Sequence, residues 1–97
     1  MITLEQLRTE YKPQILALAA QHGLRNVRIF GSVAAGKQTE TSDVDILVSR
    51  IKGGDPWGVG GFYMDMQELL GQKVDVAIEN GLRPSLKEKI MADAVPL

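Results

Sequence analysis

Apolar residues recur along this chain with two periods, and the switches between them lay out its elements. Leu4, Leu7 and Tyr11 fall on one helical stripe behind Thr3 and Gln6, a pair that fits a capping box. Pro13 suits the first turn of a second helix, along which Ile15, Leu18, Ala19 and His22 continue the stripe until Gly23 ends it. The period then falls to two. Val27 to Phe30 predicts a strand, with Val27 and Ile29 on one face and Arg28 and Phe30 on the other. Gly31-Ser32 turns the chain into a short helix, Val33 to Ala35, stopped by Gly36. Lys37 to Ser42 is a polar loop, and Val44 to Ser49 predicts a second strand. Ile51 to Gly61 holds five glycines and Pro56 and reads as loop. Phe62, Met66, Leu69 and Leu70 mark a helix closed by Gly71, and Val74 to Ile78 a third strand. Asn80 to Pro84 is a turn, and Ser85 serves as N-cap of a last helix carrying Leu86, Ile90, Met91 and Ala94. This order predicts an α/β fold: an α+β sandwich whose small mixed sheet of about three strands is flanked by helices.

Composition narrows the picture. The 97 residues make a single domain, 1–97, with no internal repeat or boundary. With 44% apolar and 24% charged residues, the chain is neither disordered nor a membrane span. A chain this short buries only about 60–65% of its unfolded surface, which leaves room for a homo- or hetero-oligomer. A net charge of −1 gives no sign of bulk nucleic-acid binding, so no direct nucleic-acid contact is expected. There is no cysteine, which excludes disulfides and zinc-thiolate sites. Glu5 and Glu10 break the only N-terminal stretch that could read as a signal peptide, so a cytoplasmic location is expected.

The chemistry concentrates after the first strand. Gly31 and Ser32 open a short helix, small residues let a backbone approach phosphate, and helix N-termini favour anions. Ten residues separate Ser32 from Asp43-Val44-Asp45. Asp43, Asp45 and Leu47 share one strand face, while Val44, Ile46 and Val48 take the core side. Carboxylates beside such an apolar run are costly unless paired or metal-bound. The third strand repeats the pattern: Val74, Val76 and Ile78 alternate with Asp75. If these strands are neighbours, Asp75 joins Asp43 and Asp45, and three carboxylates can hold two Mg²⁺ ions. One ion would bridge the oxygens of a nucleoside triphosphate. The other would activate an attacking hydroxyl, with Asp75 as ligand and proton acceptor.

Several residues carry plainer readings. Ser32 can be a helix N-cap alone. Ser42 reads as a loop cap rather than a substrate contact. His22, the only histidine, sits at a helix end and reads as structural. Trp57, between Pro56 and Gly58, reads as a contact aromatic in a mobile loop. Arg83, Lys87 and Lys89 read as helix-surface charge. Gly53-Gly54 has no strand leading into it as a phosphate loop would require, and reads as a turn.

The segment FGSVAAGKQTETSDVDILV resembles the signature of the DNA polymerase beta-like nucleotidyltransferase superfamily, and within it the minimal nucleotidyltransferase (MNT) domains. LLGQKVDVAIENGLRPSLKEKIMADAVPL is similar to their third strand and C-terminal helix, so the resemblance covers nearly the whole chain. It implies a nucleotidyltransferase fold, triphosphate contacts from Gly31 and Ser32, and metal ligation by Asp43, Asp45 and Asp75. It also implies a partner. Such domains are commonly the antitoxin half of a pair with a HEPN-domain ribonuclease toxin, and transfer AMP from ATP to a toxin tyrosine. The small chain fits a protein acceptor, since no second domain is present to hold another. These domains often carry Arg where this chain has Ala35, which implies weakened activity, or an antitoxin that neutralises its toxin by binding alone.

Overall fold

The computed structural model describes residues 1–54 and 56–97; Asp55, within the predicted loop, lies outside them. Helix α1 (Leu4–Thr9) opens with the expected capping box: Thr3 Oγ1 accepts from the Gln6 amide at 3.1 Å, and the Thr3 amide donates to Gln6 Oε1 at 2.9 Å. Helix α2 (Lys12–Gln21) holds Pro13 in its first turn, where the missing N–H costs nothing. Strand β1 spans Leu24–Phe30, three residues longer at its start than the alternation predicts. The cause is a bulge. Asn26 adopts φ 53° and the pairing with β2 slips between Arg25 and Arg28, so Leu24 and Val27 both reach the core although three positions apart.

Helix α3 (Gly31–Ala35), strand β2 (Val44–Arg50), helix α4 (Gly58–Leu70) and strand β3 (Val74–Ile78) follow. A 3₁₀ turn (Glu79–Gly81), helix α5 (Pro84–Asp93) and strand β4 (Val95–Pro96) complete the chain. Gly58 to Gly61, expected as loop, is the first turn of α4. Two of these glycines, Gly58 and Gly61, serve packing. A Cβ on Gly58 would run into the carbonyl oxygen of His22, and one on Gly61 would lie 2.6 Å from the His22 ring, so only glycine lets α4 sit this close to the end of α2. Helix α5 begins at Pro84, with Arg83 in the N-cap position and no side-chain cap, so Ser85 lies inside the helix and not at its cap. The fixed φ of proline suits the first helical position and moves the cap two residues earlier, from Ser85 to Arg83.

The sheet is mixed, in the order β3-β2-β1-β4: β1 runs antiparallel to both β2 and β4, and β2 parallel to β3. It has four strands where the periodicity suggests three. The extra strand has two residues, too few to show a period, and pairs Val95 with Ile29 and Pro96 with Arg28. Buried Leu97, whose amide donates to the Val27 carbonyl, and two bonds from the Arg8 guanidinium to the Pro96 carbonyl hold it in place. Val27, Ile29, Val44, Ile46, Val48 and Val74 form the core side of the sheet, against Leu7, Ile15, Ala19, Phe62, Met66 and Leu70 from the helices. Burying Phe62 alone is worth roughly 1.5–3 kcal/mol. Leu47, on the opposite face, is also fully buried, so β2 is covered on both sides through its middle. At its start the second face opens, and there the acids stand.

Candidate active site

The C-terminal end of β1 meets the N-terminal ends of β2 and β3. Across the antiparallel pair Phe30 lies opposite Asp45, and across the parallel pair Asp45 lies opposite Asp75. Residues paired in register project to the same face, so Asp45 and Asp75 stand side by side, with Asp43 directly before β2. Asp43 and Asp45 are half-buried and Asp75 is exposed. Gly31, one residue past β1, adopts φ 70°. A Cβ there would collide with Asp45 Oδ2 and lie 3.0 Å from its Cγ. The absence of a side chain at position 31 therefore makes room first for the Asp45 carboxylate. Ser32 is the second residue of α3, whose N-cap position is Phe30, so Ser32 is not the helix cap. Ala35 ends that helix, exposed, and Gly36 closes it at φ 71°.

The acids act on one another through their charges. Burial first, then the charge of Asp75, then that of Asp43, hold the Asp45 carboxyl above the ordinary carboxylate range. The only cation paired with the trio among the described residues is Lys73, whose Nζ lies 3.9 Å from Asp43 Oδ2. Among the described residues no three His, Cys, Asp or Glu side chains form a ready-made cage for an ion. The carboxylates are neighbours whose repulsion a bound cation would relieve, and an all-oxygen donor set of this kind suits a hard divalent ion.

A raised carboxyl pKa means that the folded state holds its proton more tightly than the unfolded state. Metal-free protein should therefore lose stability as pH rises through the carboxylate range and recover it as pH falls. Asp45→Asn removes that penalty. In EDTA at pH 7 the variant should melt a few degrees above wild type, where about 1 kcal/mol corresponds to roughly 4–8 °C for a domain this size. The advantage should vanish by about pH 4, near the reference carboxylate pKa. Thermal unfolding followed by circular dichroism checks this, and equal melting temperatures at pH 7 would rule it out.

The residues with plainer readings fall as follows. Ser42 Oγ accepts from the Thr39 amide at 2.9 Å, a loop cap. His22 Nε2 pairs with Asp65 Oδ2 at 2.7 Å and joins α2 to α4. Gly53 (φ 79°) and Gly54, whose amide donates to the Ile51 carbonyl, form a turn. Trp57 is 82% exposed at the start of α4. Arg83, Lys87 and Lys89 are exposed on or beside α5.

One polar network has no counterpart in the sequence reading. Arg28 donates to Glu79 Oε1 at 2.5 Å, to Ser49 Oγ at 3.0 Å and to the Asn26 carbonyl at 2.8 Å. The Arg28 hydrogen bond holds the Glu79 carboxyl below its ordinary value. The available signal was Arg28 itself: a charged residue alternating within a strand needs a partner if it is half-buried. Which partner depends on strand order, which the sequence does not display.

Residues 13–97 match the family model described as Polymerase beta, Nucleotidyltransferase, and the chain belongs to that family. It is a nucleotidyltransferase. It is 38% identical over 86 residues to MJ0435 of Methanocaldococcus jannaschii, a candidate protein adenylyltransferase, a match covering 89% of this chain and 92% of that one. A solved structure of a candidate minimal nucleotidyltransferase superposes with a TM-score of 0.85 at 40% identity, over 99% of this chain and 97% of the other. A chain from a complex of tri-AMPylated Shewanella oneidensis HEPN toxin with MNT antitoxin shares the fold, with a TM-score of 0.68 at 16% identity, over 92% and 70% of the two chains.

Proposed function

We propose that the chain, as one minimal nucleotidyltransferase domain across residues 1–97, is the antitoxin of a HEPN/MNT pair and transfers AMP from ATP to a tyrosine hydroxyl of a HEPN-domain toxin. The observation that carries this reading is the in-register pairing of Asp45 with Asp75, beside Asp43 and against Gly31. Asp43, Asp45 and Asp75 would hold two Mg²⁺ ions, which supply neutralising charge to the triphosphate and lower the pKa of the attacking hydroxyl. Gly31 and Ser32 face the phosphates, where the Ser32 hydroxyl and nearby amides donate. The tyrosine oxygen forms a bond to the α-phosphorus, the bond from that phosphorus to the departing pyrophosphate breaks, and Asp75 takes the phenolic proton. Ala35 contributes no cation, so transfer is slow. The name of the M. jannaschii relative supports a protein acceptor, and the Shewanella complex supports a toxin as that acceptor. No helix among the described residues is long and apolar enough to cross a membrane. A reaction that draws on ATP belongs in the cytoplasm.

Ala35 favours a second reading, neutralisation by contact alone. Mass spectrometry of a HEPN toxin co-expressed with this chain separates the two. The transferase reading expects toxin heavier by one or more AMP units at a tyrosine. Toxin that is neutralised yet unmodified would hand the case to the binding reading.

A further inference from the structure

The sheet carries a second charged concavity at its other end. A cavity of about 340 Å³ is lined by Arg25, Arg50, Ile51, Lys52, Gly53 and Asn80. Asp45 and Arg50 stand five positions apart on β2, roughly 16–17 Å at the rise of a strand, so the acids and these cations mark opposite ends of one element. The cations lining it stand apart from those the fold has already engaged. Arg28 is held by Glu79, Lys73 lies near Asp43, and Arg8 is spent on the Pro96 carbonyl. Among the described residues no ion pair or side-chain hydrogen bond engages the charged groups of Arg25, Arg50 or Lys52, and no acid among them lines the cavity. Asn80 adds polarity of a defined sense: its Oδ1 accepts from the Arg50 amide at 2.9 Å, which uses the acceptor end and leaves the NH₂ for a ligand.

Three like charges around one concavity repel one another, and an anion relieves that repulsion. Two guanidinium forks, an ammonium and an amide donor suit a group that presents several oxygens at close spacing, which is the chemistry of phosphate. Among the described residues Ile51 is the only large apolar liner, so the cavity recognises charge and not a stacked base. We propose that Arg25, Arg50, Lys52 and Asn80 form a phosphate-binding site separate from the acidic one. Its phosphate comes either from a free polyphosphate or from the backbone of a nucleic-acid strand. This inference does not depend on the adenylyltransferase reading.

The test is calorimetry in EDTA, which silences divalent-dependent binding at the acidic end, with inorganic tripolyphosphate and a mixed-sequence 12-nucleotide RNA as probes. Wild type should bind at least one probe in the micromolar range. Arg25→Gln/Arg50→Gln should weaken that binding at least tenfold, whereas Lys12→Gln/Lys89→Gln, which removes the same charge elsewhere, should leave it unchanged. Both replaced side chains are exposed, and the Arg50 bond to Asn80 runs through its backbone. Should the double variant fail to fold, Lys52→Gln, in the exposed turn, reads the same loss. Tighter RNA binding with a steep salt dependence identifies a nucleic-acid backbone as the source, and tighter tripolyphosphate binding a free polyphosphate. Absence of binding by both probes at millimolar concentration overturns the proposal, as does equal weakening in the double variant and its charge-matched control.

Discussion

Replacing Asp43 and Asp45 together with asparagine should lower AMP transfer by at least about 10³-fold, a loss of roughly 4 kcal/mol of transition-state stabilisation. Phosphoryl transfer leaves little for a protein to do except position the reactants and neutralise charge, so groups that bring cations to the phosphates carry most of the rate. Asn keeps the shape of Asp and one acceptor oxygen but not the charge that attracts a divalent ion. The fold should survive, since neither acid belongs to the apolar core and the Asp45 carboxyl is already disfavoured in its charged form by burial and by Asp75 and Asp43. The measurement is AMP incorporated into co-purified toxin per unit time, alongside a circular dichroism melt in EDTA. A folded double variant that transfers AMP at the wild-type rate would remove these acids from the mechanism. A variant that no longer folds would make them structural.

Gly31→Ala should reduce transfer by about 10²-fold and stability by about 1–3 kcal/mol. Two effects act together. An alanine at φ 70° is strained wherever it sits, and here its Cβ would occupy the position of Asp45 Oδ2. The carboxylate must swing away, which displaces the group expected to face the metal. Ser32→Ala is the gentler probe of the same cradle. Loss of one hydrogen bond to a charged phosphate, roughly 1.5–3 kcal/mol, should weaken ATP binding by about ten- to a hundredfold with the melting temperature nearly unchanged. Calorimetry with Mg²⁺ and ATP, paired with thermal melts, separates the two variants. Wild-type ATP affinity in both would show that this turn does not touch the triphosphate.

Glycine shows where sequence reading reaches its limit. Gly23, Gly36 and Gly71 end helices, a local role set by one residue's φ, and each is legible from its place after an apolar stripe. Gly58 and Gly61 are glycines because His22 occupies the space beside them. Nothing within ten residues of them records that contact, so the segment resembles a loop until the two helices are seen together. The bulge at Asn26 is hidden for a related reason. An extra residue in β1 has meaning only against the partner strand, and read alone it merely blurs the alternation.

The local pattern by itself determined the helical and strand periods, the capping box, the turn after β1 and the parity that sends Asp45 and Asp75 away from the core. Each depends on backbone geometry over a few residues, and that geometry repeats wherever the pattern occurs. Tertiary structure decided the strand order β3-β2-β1-β4, and with it that Asp75 stands beside Asp45, that Gly31 leaves room for the Asp45 carboxylate, that Arg28 finds Glu79, and that Arg25, Arg50 and Lys52 share one cavity. Parity says which way a side chain points, but its neighbour is chosen by hydrogen bonds and apolar contacts between segments far apart in the chain.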